Sequence, residues 1–392
     1  MPEDAADSGP DADGGDDQRL AAVVAKPRSQ IAIESLRDEG VYDDGRSVVE
    51  WTDETVAAPV TAPPRETPVR EVVRQVGEPR LRTLDDHLRE RGWTDAEIDA
   101  APGSWAVLGS VVLVDMGDSP RPREVGEALL ALHGEADTVL ARHGISGAHR
   151  EPSVEVVAGV GDTETVHTEH GTRYAMDLAE VMFSPGNKAE RARMGDVVRE
   201  GRGTRPSGRA SGEAASDGER VLDMFAGIGY FTLPMARAGA TVTAVERNPT
   251  AFRYLVENVR LNRVDERVHA YRADCREVVR AGLTDEKGRE GDERDAERPV
   301  SQGFAAEARA DRVVMGYYEA HEYLDSALAA LAPGGVLHMH EATPDALVFD
   351  RPLDRLEAAA ADAGRSVEIL DTRRVKAYSE GVAHVVVDAR IE

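Results

Sequence analysis

Three acids close successive apolar runs in the C-terminal half of the chain: Asp223 in VLDMFAGIGYF, Glu246 in TVTAVE, and Asp274 in ADCRE. Between the first two stand Gly227 and Gly229, residue types that let a turn bring its backbone against a ligand. A dinucleotide turn requires a third glycine three residues on, for close helix packing; here that residue is Thr232, which argues against NAD. Glu246, 23 residues beyond Asp223, is spaced to accept hydrogen bonds from two ribose hydroxyls, and Asp274 to meet an adenine amine. A lone Gly-x-Gly is a plain turn, Glu246 alone a solvated strand end, and Asp274 alone a helix cap. In register, the set describes a pocket for a nucleoside that lacks phosphates and sits near a positive charge. S-adenosylmethionine fits it. Phe225 and Ala226 in the first turn, Arg247 and Asn248 after the second run, and Cys275 after the third complete the candidate cofactor-binding residues.

The elements that must position them are legible from Arg220 onward. VLDMF, TVTAVE, VHAYR, DRVVMG, VLHMHE, VEILDTRRV and HVVVDARI read as strands, alternating with helical stretches such as PTAFRYLVENVRLN and LDRLEAAAADAG. Such alternation predicts an α/β, doubly wound, Rossmann-like sheet over 220–392, with ligands at the carboxyl ends of its strands. The fourth strand ends in VVMGYY (313–318), so Gly316, Tyr317 and Tyr318 stand where sheets of this kind often carry a carboxamide or an acid. Upstream, the chain reads as an acidic, disordered tail (1–19), a small N-terminal α+β unit (20–62), a Pro-rich linker (63–79) and a second α+β unit (80–198). In that second unit WAVLGSVVLVDM reads as a hairpin, REVGEALLALHGEADTVLARHG as helix, and SVEVVAG and ETVHTEHGTRYAMD as strands. Polar stretches at 199–219 and 284–303 read as a flexible loop and an insertion.

Lys+Arg 47 against Asp+Glu 73 leaves a formal net charge of −26, and only four of the basic residues are lysines. A phosphate backbone is normally met by a basic face, so the total argues at first against nucleic acid. A protein from a salt-rich cytoplasm, however, carries acid everywhere and keeps arginines where a ligand needs them; a halophilic origin is expected. Lys188, Arg191, Arg193, Arg199, Arg202, Arg205 and Arg209 fall together, an exception that phosphate contacts would require. A linker with incidental arginines is the plain reading of the last three. The single cysteine, Cys275, excludes an internal disulfide framework and a cysteine metal cluster. His321, His338 and His340 lack ligand spacing, so no metal is expected. No run approaches the ~20 apolar residues of a membrane span, and the N-terminus is acidic where a signal peptide is basic; a soluble cytoplasmic protein is expected.

VLDMFAGIGYFTLPMA, ERNPTAFRYLVENVRLNRV and YRADCRE resemble the tRNA methyltransferases that modify the guanosine 3′ to the anticodon, and their sister family in archaeal wyosine synthesis. TETVHTEHGTRYAMDLAEVMFSPGNKAERARM upstream and RRVKAYSEGVAHVVVD near the end extend the resemblance, which covers nearly everything from Ala21 onward. It implies a class I methyltransferase-like fold with a seven-stranded sheet. The methyltransferases carry an Asn-Leu-Pro or Asn-Pro-Pro type turn after the fourth strand, whereas the wyosine-branch aminocarboxypropyltransferases read Met-Gly-Tyr, as Met315-Gly316-Tyr317 does. Where the methyltransferases place an aromatic residue and an arginine, this chain has Met182 and Gly186. The resemblance thus implies transfer of the 3-amino-3-carboxypropyl group of S-adenosylmethionine to C7 of 4-demethylwyosine in tRNA(Phe), with methylthioadenosine released. It implies Glu190 as proton acceptor, Gly316 beside the reacting groups and Arg150 on the target base; Tyr317 and Tyr318 offer aromatic faces on which the extruded base can stack, and the basic run offers Lys188, Arg191 and Arg193 to the tRNA. The plain readings are a surface acid pairing with Lys188 or Arg193 for Glu190, and buried packing for the two tyrosines. Loss of a carboxamide at Gly316 is expected to open room for the longer group. The rivals are a guanosine N1-methyltransferase acting on the same nucleotide and a catalytically silent RNA-binding module; Asp223, Gly227, Gly229 and Glu246 argue against the second. A monomer is expected.

Overall fold

The computed structural model describes residues 19–74, 80–147, 149–204, 218–284 and 309–392. The chain divides into two compact units, 1–93 and 94–392. The first runs β1 (Leu20–Ala25), α1 (Ser29–Asp38), β2 (Val49–Thr52), β3 (Thr55–Val60), β4 (Glu71–Arg74) and α2 (Leu84–Glu90). Its antiparallel sheet has the order β2-β3-β1-β4. Small residues, Ala22 and Ala58, let α1 bring Leu36 close over the sheet, and with Val60 they form the core of this unit. The stretch 63–79, read as a linker, contains β4: EVVR follows the prolines and finds the open edge of β1. Thr83 starts α2, accepting from Asp86 N while the Asp86 carboxylate accepts from Thr83 N.

The second unit begins with α3 (Asp95–Asp99), β5 (Trp105–Leu108), β6 (Val111–Val114), α4 (Pro122–Leu132), β7 (Thr138–Ser146), β8 (Glu151–Gly159), β9 (Glu164–Glu169), β10 (Thr172–Asp177) and α5 (Lys188–Thr204). β5 to β8 form one sheet in chain order and β9–β10 a separate hairpin. The helix expected to run through HGEADTVLARHG ends at Leu132, because TVLAR pairs between β6 and β8 as β7. α5 continues to Thr204, into the stretch read as a loop from 199. The remainder of that loop from 205 to 217, the tail to residue 18, and the insertion from 285 lie outside the described residues.

The large sheet follows: β11 (Arg220–Asp223), α6 (Thr232–Arg237), β12 (Thr241–Val245), α7 (Pro249–Leu261), β13 (Val268–Tyr271), α8 (Cys275–Thr284), β14 (Ala310–Met315), α9 (Leu324–Ala330), β15 (Leu331–Pro344), α10 (Asp350–Asp362), β16 (Val367–Ser379) and β17 (Val382–Ile391). Its order is β13-β12-β11-β14-β15-β17-β16, parallel from β13 to β15, with β17 antiparallel to both of its neighbours. Strand order reverses between β11 and β14, where Asp223 lies opposite Val314. A crevice therefore opens at the carboxyl ends of these two strands. No helix among the described residues is long and apolar enough to cross a membrane.

One buried cluster spans the smaller sheet, the hairpin and one face of the large sheet. Leu108 and Leu140, Tyr174 and Met176, and Met194 and Val198 pack with Val221, Leu233 and Leu255. The hairpin is fastened by carboxamides on α7. Asn258 accepts from Ala175 N (2.6 Å) and donates to Ala175 O (3.0 Å); Asn262 does the same for Arg173 at 2.9 and 2.7 Å. These side chains satisfy an edge of β10, where a lost partner costs about 1–3 kcal/mol per buried group.

Candidate active site

Asp223, at the end of β11, is fully buried. Its carboxylate accepts from Thr232 Oγ1 (2.7 Å) and Phe225 N (3.4 Å), and burial raises its pKa to about 6. Thr232, the residue standing where a third glycine was sought, is thus a ligand of this acid. Gly227 and Gly229 have φ of 57° and 103°, and added Cβ atoms would meet Tyr230 Cε2 at 2.5 Å and Leu233 Cγ at 2.8 Å. Conformation and space both require glycine there. Glu246 follows β12; its two oxygens accept from Gly227 N (2.8 Å) and Asn248 N (2.7 Å), while burial raises its pKa. Asn248 caps α7 by accepting from Thr250 N (2.9 Å), and its Nδ2 donates to His149 O (3.1 Å) in the turn between β7 and β8. Asp274 accepts from Arg276 Nε (2.9 Å) and Nη2 (2.6 Å), which hold its carboxyl below the usual range. Cys275 opens α8, its thiol pushed up to about 12 by burial.

Phe225, Gly227, Glu246, Arg247, Asn248, Asp274 and Cys275 line one cleft, together with Gly316 and Tyr317 at the end of β14 and with Arg150 and Arg191. Asp223, Ala226 and Gly229 lie behind that lining and shape the turn. Sequence reading missed Tyr230 and Tyr323, which also face the cleft. Tyr323 meets Phe225 edge-on at 4.9 Å, Phe225 packs on Tyr317 at 5.1 Å, and Arg276 covers Tyr323 at 4.7 Å. Beside Asp274 this aromatic wall suits a flat heterocycle. The only sequence signal for Tyr323 was an aromatic in HEYLD, indistinguishable from a helix-packing residue. No group of three or more His, Cys, Asp or Glu that could hold a metal ion occurs among the described residues.

The TRM5/TYW2 methyltransferase domain matches residues 165–204, 209–287 and 294–370, and the TYW2 N-terminal domain matches 84–163. The chain belongs to the TRM5/TYW2 family. It is 34% identical over 294 residues to the Pyrococcus horikoshii tRNA(Phe) (4-demethylwyosine(37)-C(7)) aminocarboxypropyltransferase, covering 74% of this chain and 90% of that relative. A crystal structure of P. horikoshii TYW2 in complex with MeSAdo superposes with a TM-score of 0.57 at 31% identity, covering 78% of this chain and 96% of that one. Trm5b from Pyrococcus abyssi superposes at 0.63 with 26% identity, over 95% and 99% of the two chains.

Within this TRM5/TYW2 frame several candidates sit otherwise than their sequence suggested. Gly316 does not open space: a Cβ there would meet Phe231 Cε2 at 2.7 Å, so the ring fills the volume of the absent side chain. Glu190 is buried and outside the cleft lining. Both of its oxygens accept from Arg373, at 2.6 Å from Nε and 2.7 Å from Nη2, so the carboxylate is committed to a buried ion pair instead of to Lys188 or Arg193. Arg191 is clamped on Glu169 (2.7 and 2.8 Å) and donates to Ser184 O (2.8 Å), so its charge is matched by a buried carboxylate at the cleft wall. Arg193 pairs with Asp388 (2.7 Å) and Arg199 with Asp196. Lys188 is exposed at the start of α5, Arg202 lies in the last turn of that helix, and Arg205 and Arg209 fall outside the described residues.

The cation that sequence reading overlooked is Lys376. Its Nζ donates to Ser184 Oγ (2.5 Å), and no carboxylate pairs with it among the described residues. Burial, with Arg142, Arg191 and Arg150 nearby, lowers its pKa to about 8. A Cβ on Gly186 would come within 3.1 Å of Lys376 Cδ, so the missing side chain at 186 gives this lysine its place beside the cleft. Arg150, with φ of 54° at the β7–β8 turn, lies 5.9 Å over the ring of Tyr317 and 5.1 Å over that of Tyr318. Tyr318 is half-buried behind the cleft wall, edge-on to Tyr378 and His384.

Proposed function

We propose that this chain transfers the 3-amino-3-carboxypropyl group of S-adenosylmethionine to C7 of 4-demethylwyosine in tRNA(Phe), releasing methylthioadenosine. The observation that carries the reading is the turn Met315-Gly316-Tyr317, closed against Phe231 so that a carboxamide at 316 has no room. The 34% identity to a relative named for this reaction supports it.

On this reading Glu246 receives the ribose hydroxyls, Asp274 and Cys275 the adenine, and the turn from Asp223 to Gly229 brings backbone past the nucleoside. Phe225 and Tyr323 cover the adenine plane, with Ala226, Arg247 and Asn248 shaping the pocket around it. Bound there, the sulfonium supplies an electrophilic carbon and a neutral thioether leaving group. Which carbon reacts depends on which one the pocket points at the base, so orientation decides the product. Arg150, against Tyr317 and Tyr318, offers a planar cation for an extruded base. Lys376, Arg142 and Lys188 supply positive charge for tRNA phosphates in an otherwise acidic chain. The acidic surface belongs to a salt-rich archaeal cytoplasm, where the chain acts as a monomer.

The test is mass spectrometry of nucleosides from tRNA carrying 4-demethylwyosine, incubated in high salt with adenosylmethionine labelled in the methyl or in the carboxyl group. Carboxyl label in the base with methylthioadenosine released supports the proposal. Methyl label with adenosylhomocysteine released makes the chain a methyltransferase.

A further inference from the structure

Substitution at a ring carbon leaves a proton to remove, and the acids around the cleft can be compared for that task. Glu190 is paired through both oxygens with Arg373, and Glu169 with Arg191. Glu246 has both oxygens on backbone amides, and Asp274 is doubly bonded to Arg276. Asp223 lies behind the turn on Thr232. One carboxylate near the cleft differs. Glu319 is exposed, and the single hydrogen-bond partner of its carboxylate among the described residues is the hydroxyl of Tyr317, at 2.5 Å.

We propose that Tyr317 and Glu319 form the proton-accepting pair of the reaction, with Tyr317 as relay at the cleft wall and Glu319 as terminal acceptor at its rim. The inference rests on the aminocarboxypropyl reading above. As the C7–Cγ bond forms from the ring's electron pair, the Cγ–S bond breaks and sulfur keeps its pair. The C7 proton then passes to the Tyr317 oxygen while the phenolic proton passes to Glu319 Oε2 and on to water, which restores the neutral ring. Burial, aided by the Glu319 contact, raises the Tyr317 pKa to about 12, so at neutral pH the phenol is a proton carrier rather than a standing phenolate. The segment is held in place for this: Ala342 N donates to Tyr318 O (3.2 Å), Ala320 N donates to Tyr317 O (3.2 Å), and Glu319 forms a backbone bridge to Glu341. Glu319 serves through Tyr317, taking up the proton that the phenol passes on.

The experiment uses the full chain with tRNA whose 4-demethylwyosine carries deuterium at C7. Wild-type enzyme must first release methylthioadenosine; if it does not, the functional reading fails and the relay with it. Given that release, Tyr317→Phe and Glu319→Gln are expected to lower kcat by ~10²-fold with KM for tRNA little changed, and to unmask a primary isotope effect. Glu190→Gln is expected to lower thermal stability and show no isotope effect. Glu319→Gln turning over like wild type, slowing without an isotope effect, or leaving the effect to Glu190→Gln would each overturn the proposal. A second readout needs no turnover. In the protein alone, Glu319→Gln should lower the pH at which Tyr317 ionises, followed by NMR of carbon-13-labelled tyrosine; an unchanged titration shows that the pair does not exist in solution.

Discussion

Two carboxylate sites beside the large sheet are built oppositely. In the first, Glu190 of α5, Arg373 of β16, Asp388 of β17 and His338 of β15 interlock: Asp388 accepts from His338 Nδ1 (2.6 Å), Arg373 (2.7 Å) and Arg193 (2.7 Å). Burial opposes the charge on Asp388, yet His338 and Arg373 hold its carboxyl well below the usual range. In the second, Glu319 stands in solvent with Tyr317 as its partner. The same residue types therefore do different work. A buried carboxylate held by a bidentate arginine fixes the docking of α5 on the sheet and has its charge neutralised where it stands. A carboxylate with one mobile proton next to it remains available for chemistry.

Breaking the closed cluster should have the largest effect. Arg373→Met leaves the buried Glu190 carboxylate without its arginine and takes one of three partners from Asp388, and should cost about 3–5 kcal/mol in urea unfolding at fixed high salt. A loss within experimental error would mean that the network is as loosely held as the rim. Next comes Gly316→Asn, which drives atoms into Phe231: about 1–3 kcal/mol of destabilisation and a steep loss of transfer are expected. Unchanged product and rate would remove the steric account of this turn.

Lys376 sharpens the comparison from the cationic side. Its folded pKa, about 8, lies below the unfolded value, so between the two the native state binds fewer protons and its relative stability rises with pH. Binding to tRNA phosphates runs the other way. Affinity measured by fluorescence anisotropy should fall by about tenfold per pH unit above the midpoint, and Lys376→Arg should flatten the profile. The smallest effect is expected from Arg150→Lys, which exchanges a stacked guanidinium for a point charge over Tyr317 and Tyr318. About 0.5–1 kcal/mol, read as a few-fold rise in KM for tRNA, follows if the contact is a base-binding surface. No change would return the tyrosines to packing alone.

Much of the cofactor-side geometry was readable because it is local. Gly227 and Gly229, Asp223 before them and Glu246 at the next strand end are set by short-range backbone demands and strand periodicity, and the structure brings Gly227 and Glu246 into direct contact. The β4 edge strand, the switch from α4 to β7 and the extension of α5 were not readable, since each is decided by which open edge or apolar surface the chain meets after folding.

The sequence by itself determined the alternation that builds the sheet, the glycine turn and the family. Tertiary structure alone decided which acids are closed and which are open. Glu190 meets Arg373 across 183 positions, Lys376 reaches Ser184 across 192, and the space beside Gly316 belongs to Phe231. Contacts at such separations leave no local pattern, and the burial and charge partners that set the state of each ionisable group exist only once the chain has closed around it.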